Sequence, residues 1–101
     1  PLPTLQADVF DEAGRWVGRC DFLWERFGVV GEADGLTKYT DVSVLGAEKM
    51  RQERLERTGL TVVRWTASDL RDRNQFSMLI RRALDRGLGG DRRARWAWRP
   101  L

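Results

Sequence analysis

The ten residues from Arg15 to Trp24, RWVGRCDFLW, form a β-prone, aromatic run, and after a short break at Glu25-Arg26 the run FGVVGEAD resumes. Two such runs with so short a break between them are expected to fold back on each other as neighbouring antiparallel strands. Leu5 to Phe10 alternates well enough to be a strand before them, and Asp11-Glu12-Ala13-Gly14 supplies a polar turn containing glycine. The first third of the chain therefore reads as a three-stranded antiparallel meander.

Beyond it, Gly35 to Tyr39 leaves the sheet, and the polar segment Thr40 to Gly46 reads as a loop. Ala47 to Thr58, AEKMRQERLERT, holds good helix formers with no Gly or Pro and stops at Gly59. Leu60 to Trp65 is a short apolar, β-branched strand, and Ser68-Asp69-Leu70 offers a cap before a last helix from about Asp72 to Arg86, with Phe76, Leu79, Ile80 and Leu84 as its core residues. The expected class is α/β or α+β: a mixed sheet of about four strands, three in the meander and a fourth reached through a helical crossover, flanked by helices. Residues 1–88 form the folded unit, and 89–101, with Gly89-Gly90 followed by DRRARWAWRPL, read as a basic tail or short appended segment.

Composition removes several chemistries. The chain has 101 residues, room for one core, and its five tryptophans read as core and as edges of packed surfaces. It has no histidine and a single cysteine, Cys20, which excludes histidine-based catalysis, the usual zinc ligand sets and an internal disulfide. No stretch approaches a membrane span and no leader pattern is seen at Pro1 to Gln6, so the expected location is cytoplasmic. The balance of 18 basic and 15 acidic residues is mildly basic and does not demand a nucleic-acid partner.

The candidate chemistry lies in Asp21, Glu32 and Asp34. Strand side chains alternate, so the loop between the second and third strands decides whether these acids meet. A two-residue loop sets Asp21 diagonal to Glu32, a four-residue loop sets it directly opposite, and a three-residue loop separates them. Adjacent carboxylates repel, and a hard divalent cation such as Mg²⁺ relieves them with oxygen ligands and waters. The competing reading is that the acids face solvent and pair with Arg19, Lys38 or Arg51.

The segments RCDFLW and VVGEADG, followed by AEKMRQERLERTGLTVVRW, resemble the core of the PD-(D/E)xK restriction-endonuclease-like superfamily. More narrowly, they are similar to a small domain of unknown function related to very-short-patch-repair endonucleases, found in many actinobacterial proteins and sometimes with an AbiEi-type antitoxin region. The resemblance covers roughly Leu5 to Leu70, with Glu48, Arg51, Leu55 and Gly59 matching the helix. It implies a restriction-endonuclease-like fold and metal-dependent cleavage of DNA with Mg²⁺ or Mn²⁺ held by Asp21, Glu32 and Asp34. The third position of the pattern is typically Lys and is Asp34 here, with Lys38 nearby. Asp21, Glu32, Asp34 and Lys38 are thus the catalytic candidates, with Lys38 or Arg51 stabilising developing charge. The resemblance also implies a helix before the first strand, so that the sequence would be a piece of a longer protein.

DNA is the expected partner, met by Arg51 and Arg54 on the first helix and by Arg92, Arg93, Arg95 and Trp96 in the tail. On that helix the basic side chains also interleave with Glu48, Glu53 and Glu56 as a solvated face. The tail tryptophans suit either stacking on unpaired bases or docking into a groove of their own domain or a twin chain. The competing function is a catalytically degenerate DNA- or protein-binding module, such as part of an antitoxin or regulator, for which the partner is another protein or a second copy.

Overall fold

The structure is a computed structural model, and it describes residues 1–33, 42–90 and 95–101, with the backbone alone for 42–45. Strands β1 (Thr4–Asp11), β2 (Trp16–Trp24) and β3 (Val29–Ala33) are followed by helix α1 (Val42–Arg57), β4 (Thr61–Trp65), α2 (Arg73–Leu88) and β5 (Trp96–Pro100). They build a mixed sheet of five strands in the order β4-β3-β2-β1-β5. All neighbours run antiparallel except β3 and β4, which are parallel, as a strand–helix–strand crossover requires. No helix among the described residues is long and apolar enough to cross a membrane.

The helices take opposite faces of the sheet. Leu55 of α1 is fully buried with Ala7, Val9, Cys20, Leu23 and Val30, while Ala83 and Leu84 of α2 are buried with Trp24, Val29, Val63 and Trp65. Phe76, Leu79 and Ile80 pack at the margin of this second cluster, so the four expected core residues of the last helix all face the sheet. Phe22, Trp65 and Phe76 extend it as an aromatic chain, with ring centroids 5.3 Å and 5.2 Å apart.

Three features differ from the sequence reading: the start of α1, the cap of α2 and the number of strands. Helix α1 begins at Val42, so part of the segment read as a loop is helical. Helix α2 starts at Arg73 and is capped by Asp72, whose side chain accepts from the amides of Asn74 and Gln75; Asp69 instead accepts from Thr66 and closes a 3₁₀ turn. The strand count is five because Trp96–Pro100 pairs along the free edge of β1, with Trp98 opposite Val9. Trp96 and Trp98 are half-buried against the cluster around Val9, which is the self-docking alternative for these two rings.

Two irregularities interrupt the β1–β2 ladder. One lies between Val9 and Phe10, where the register shifts. The other is at Gln6, which has φ 53 in the left-handed region and falls between the pairs Leu5–Phe22 and Ala7–Cys20, across from Asp21. A side chain held there costs about 1–3 kcal/mol.

Docking of β5 has a measurable consequence. Trp98→Ala strips a half-buried ring from the cluster around Val9 and should lower stability by about 2 kcal/mol, read as a drop in the urea midpoint at constant slope. An unchanged midpoint would mean that β5 does not pack on the domain in solution.

Candidate functional site

The β2–β3 turn decides the site. Trp24 pairs with Val29, leaving Glu25 to Gly28 as a four-residue connection made of a 3₁₀ turn closed by Gly28 at φ 64. Glycine takes this left-handed conformation without the steric cost a Cβ would carry. Leu23 pairs with Val30 and Phe22 with Gly31, the last pair of this ladder, and Asp21 and Glu32 are the next residues along the two strands. The connection is thus the four-residue one of the two loop lengths that bring the acids together. Asp21 is fixed there by its Oδ2, which accepts the Ala33 amide at 3.1 Å.

Glu32 is 5% exposed, an unusual position for a carboxylate, which is rarely buried unless paired. Its partner is Arg51 of α1, whose Nη2 lies 2.8 Å from Oε1. That nitrogen also donates to the Arg19 carbonyl, so one guanidinium end serves both β2 and β3. Burial pushes the Glu32 carboxyl above its ordinary range, the Arg51 guanidinium opposes this, and the adjacent Asp21 charge adds to it.

Around this pair runs a chain of charges. Arg51 Nη1 is 4.0 Å from Glu48 Oε2, Glu48 is 3.6 Å from Arg64 Nη2 on β4, and Arg64 Nε donates to Gln52 at 2.5 Å. Arg19 takes no part through its side chain, which turns to Asp8 at 3.3 Å. Cys20 lies beside the pair, fully buried, and its thiol is pushed up to about 11 by burial and then by the negative charge of Glu32.

The expected site residues thus separate. Asp21, Glu32 and Arg51 come together, although Arg51 turns its guanidinium inward to Glu32 in place of the outward pose a DNA contact needs. Arg54 is exposed on the outer side of α1, Arg95 is exposed, and Trp96 packs on the core. Asp34, Lys38, Arg92 and Arg93 lie outside the described residues. Among the described residues no group of three or more acidic or cysteine side chains closes on a common point. The two carboxylates are hard oxygen donors, the ligand type that a divalent ion keeping several waters takes. Sequence reasoning missed Glu48, Gln52 and Arg64 as neighbours of the site; their link is visible only once the parallel pairing sets Arg64 beside Glu32.

A cleft of about 780 Å³ lies elsewhere. It opens on the α2 side of the sheet between Phe22, Trp24, Trp65, Phe76 and Ile80, and Ala33, whose amide donates to Asp21, lies on its lining.

Comparison with known proteins gave no match to any family model, to any curated protein or to any solved structure.

Two outcomes follow from the electrostatics. Because the folded-state pKa of Glu32 lies above the unfolded value near 4.5, its contribution to stability is fully present below that value and is lost as pH rises through the folded one. In metal-free buffer the melting temperature of Glu32→Gln should therefore gain on that of the wild type as pH rises from about 4.5; a constant difference would contradict the raised pKa. Native Cys20 should resist alkylation at neutral pH and react fully once the chain is unfolded in urea, as mass spectrometry would record.

Proposed function

We propose that the chain is a metal-dependent, nuclease-like domain acting on DNA phosphodiester bonds, with the restriction-endonuclease-like fold that its sequence resembles. The observation that carries this reading is the closeness of Asp21 and Glu32 at the end of the β2–β3 hairpin, where the Asp21 carboxylate accepts the Ala33 amide and adds to burial in raising the pKa of the Glu32 carboxyl.

In this reading Asp21 and Glu32 hold Mg²⁺ or Mn²⁺, with Asp34 as the third ligand. When bound, such an ion polarises a phosphate oxygen and lowers the pKa of an attacking water. The chain's own residues supply the rest. The Ala33 amide keeps the Asp21 carboxylate turned toward the end of β3, so the donors are oriented before any ligand arrives. The low exposure around Glu32 strengthens each charge interaction within the site. Lys38 is the candidate for stabilising charge that develops on the phosphate, while exposed Arg54 and the arginines of the C-terminal segment provide phosphate contacts along the duplex.

A second reading is favoured by one observation, the Arg51–Glu32 pair. A guanidinium already neutralising the buried acid suits a degenerate module that binds DNA or a protein without turnover.

Calorimetric titration of Mn²⁺ and Mg²⁺ into the wild type, Asp21→Ala and Glu32→Ala, with DNA cleavage assayed on the same samples, separates the two. The nuclease reading expects metal binding and cleavage that both disappear in each variant, cleavage falling by about a hundredfold or more. Cleavage that survives Glu32→Ala would remove Glu32 from the mechanism, and DNA binding with neither metal binding nor cleavage would establish the second reading.

A further inference from the structure

We propose that Arg51 is a tethered cation seated where a divalent ion would approach Glu32, so that metal and guanidinium compete for one buried carboxylate and Glu48 receives the guanidinium when it is displaced. This rests on the metal reading above and adds to it a residue that governs occupancy.

The seat is built on both sides. Arg51 reaches the sheet from the middle of α1 with its side chain only 19% exposed, and donates to the Arg19 carbonyl of β2. The buried backbone at Gly18 leaves room for it: a Cβ there would lie 3.2 Å from Arg51 Nε, tighter than ordinary contact. Nη2 lies 2.8 Å from Oε1 of Glu32, so the guanidinium occupies the side of the carboxylate from which another cation would approach.

A divalent ion at ligand distance from Oε1 would lie within a few ångströms of Nη2, where like charges repel strongly in a poorly solvated setting. The guanidinium must then withdraw. Glu48 is positioned to receive it, one turn back on the same helix with Oε2 already 4.0 Å from Nη1. Glu48 is free to do so because its other neighbour, Arg64, is separately held by Gln52. The swing needs side-chain rotation only, with Leu55 keeping α1 anchored in the core.

The test is Mn²⁺ affinity, measured by calorimetry and by the loss of the free-ion electron paramagnetic resonance signal, for the wild type, Arg51→Gln, Glu48→Gln and Glu32→Gln. Removing the competitor should make Arg51→Gln bind Mn²⁺ about tenfold or more tighter than the wild type. Removing its alternative partner should make Glu48→Gln bind several-fold weaker, and Glu32→Gln should abolish binding. Should Arg51→Gln fail to fold with its acid left unpaired, the more exposed Glu48→Gln carries the test alone. Arg51→Gln binding no tighter than the wild type, or Glu48→Gln binding equally well, would overturn the competition while Glu32-dependent binding preserved the metal reading. Absence of binding in every folded protein would overturn both.

Discussion

The register of β2 on β3 is the constraint from which the rest of the site follows. A strand shows alternate side chains to opposite faces, so one residue more or fewer between Trp24 and Val29 would send Glu32 to the α2 side, among Trp24 and Trp65, where a carboxylate has no partner. The four-residue turn, with glycine at its left-handed position, prevents that. Once it is set, Val30 and Leu23 complete the cluster under α1, Gly31 admits the rings of Trp24 and Trp65 on the opposite side, and Glu32 comes to lie beneath Arg51. Core packing and site geometry are therefore two outcomes of one alignment.

The Glu32–Arg51 pair joins α1 to the sheet at the point where chemistry is proposed. Burying two charges costs desolvation energy that their attraction offsets only in part, and loss of one partner leaves the other stranded. The pair is best understood through position. Arg51 touches β2 through the Arg19 carbonyl and β3 through Glu32, so it fixes the helix against both strands of the hairpin.

Much of this was legible in the sequence because the signals were local. The alternation of β1, the aromatic runs of β2 and β3, the uninterrupted helix formers after Ala47 and the spacing of Phe76, Leu79, Ile80 and Leu84 each identify an element from its own residues. The candidate acids were legible as a set, but their register was not, since two loop lengths brought them together and only pairing chose between them. The fifth strand was illegible for a different reason. Trp96–Pro100 follows glycines and arginines and gains its structure from the free edge of β1, some 90 residues back along the chain. The inward turn of Arg51 was also hidden, because its charge on a helix rich in Glu and Arg reads as solvated until the gap at Gly18 is known.

Gln6 divides the β1–β2 ladder into two runs, one pairing Thr4 and Leu5 with Leu23 and Phe22, the other joining Ala7 to Val9 with Cys20 to Gly18. Only the second is backed by β5 on its outer side. The first is supported mainly by its neighbour and by the Trp24 indole, which donates to the Pro1 carbonyl. The amides of these runs consequently belong to separate opening units. Asp21, opposite the break, sits at the boundary between the run that β5 backs and the run that it does not.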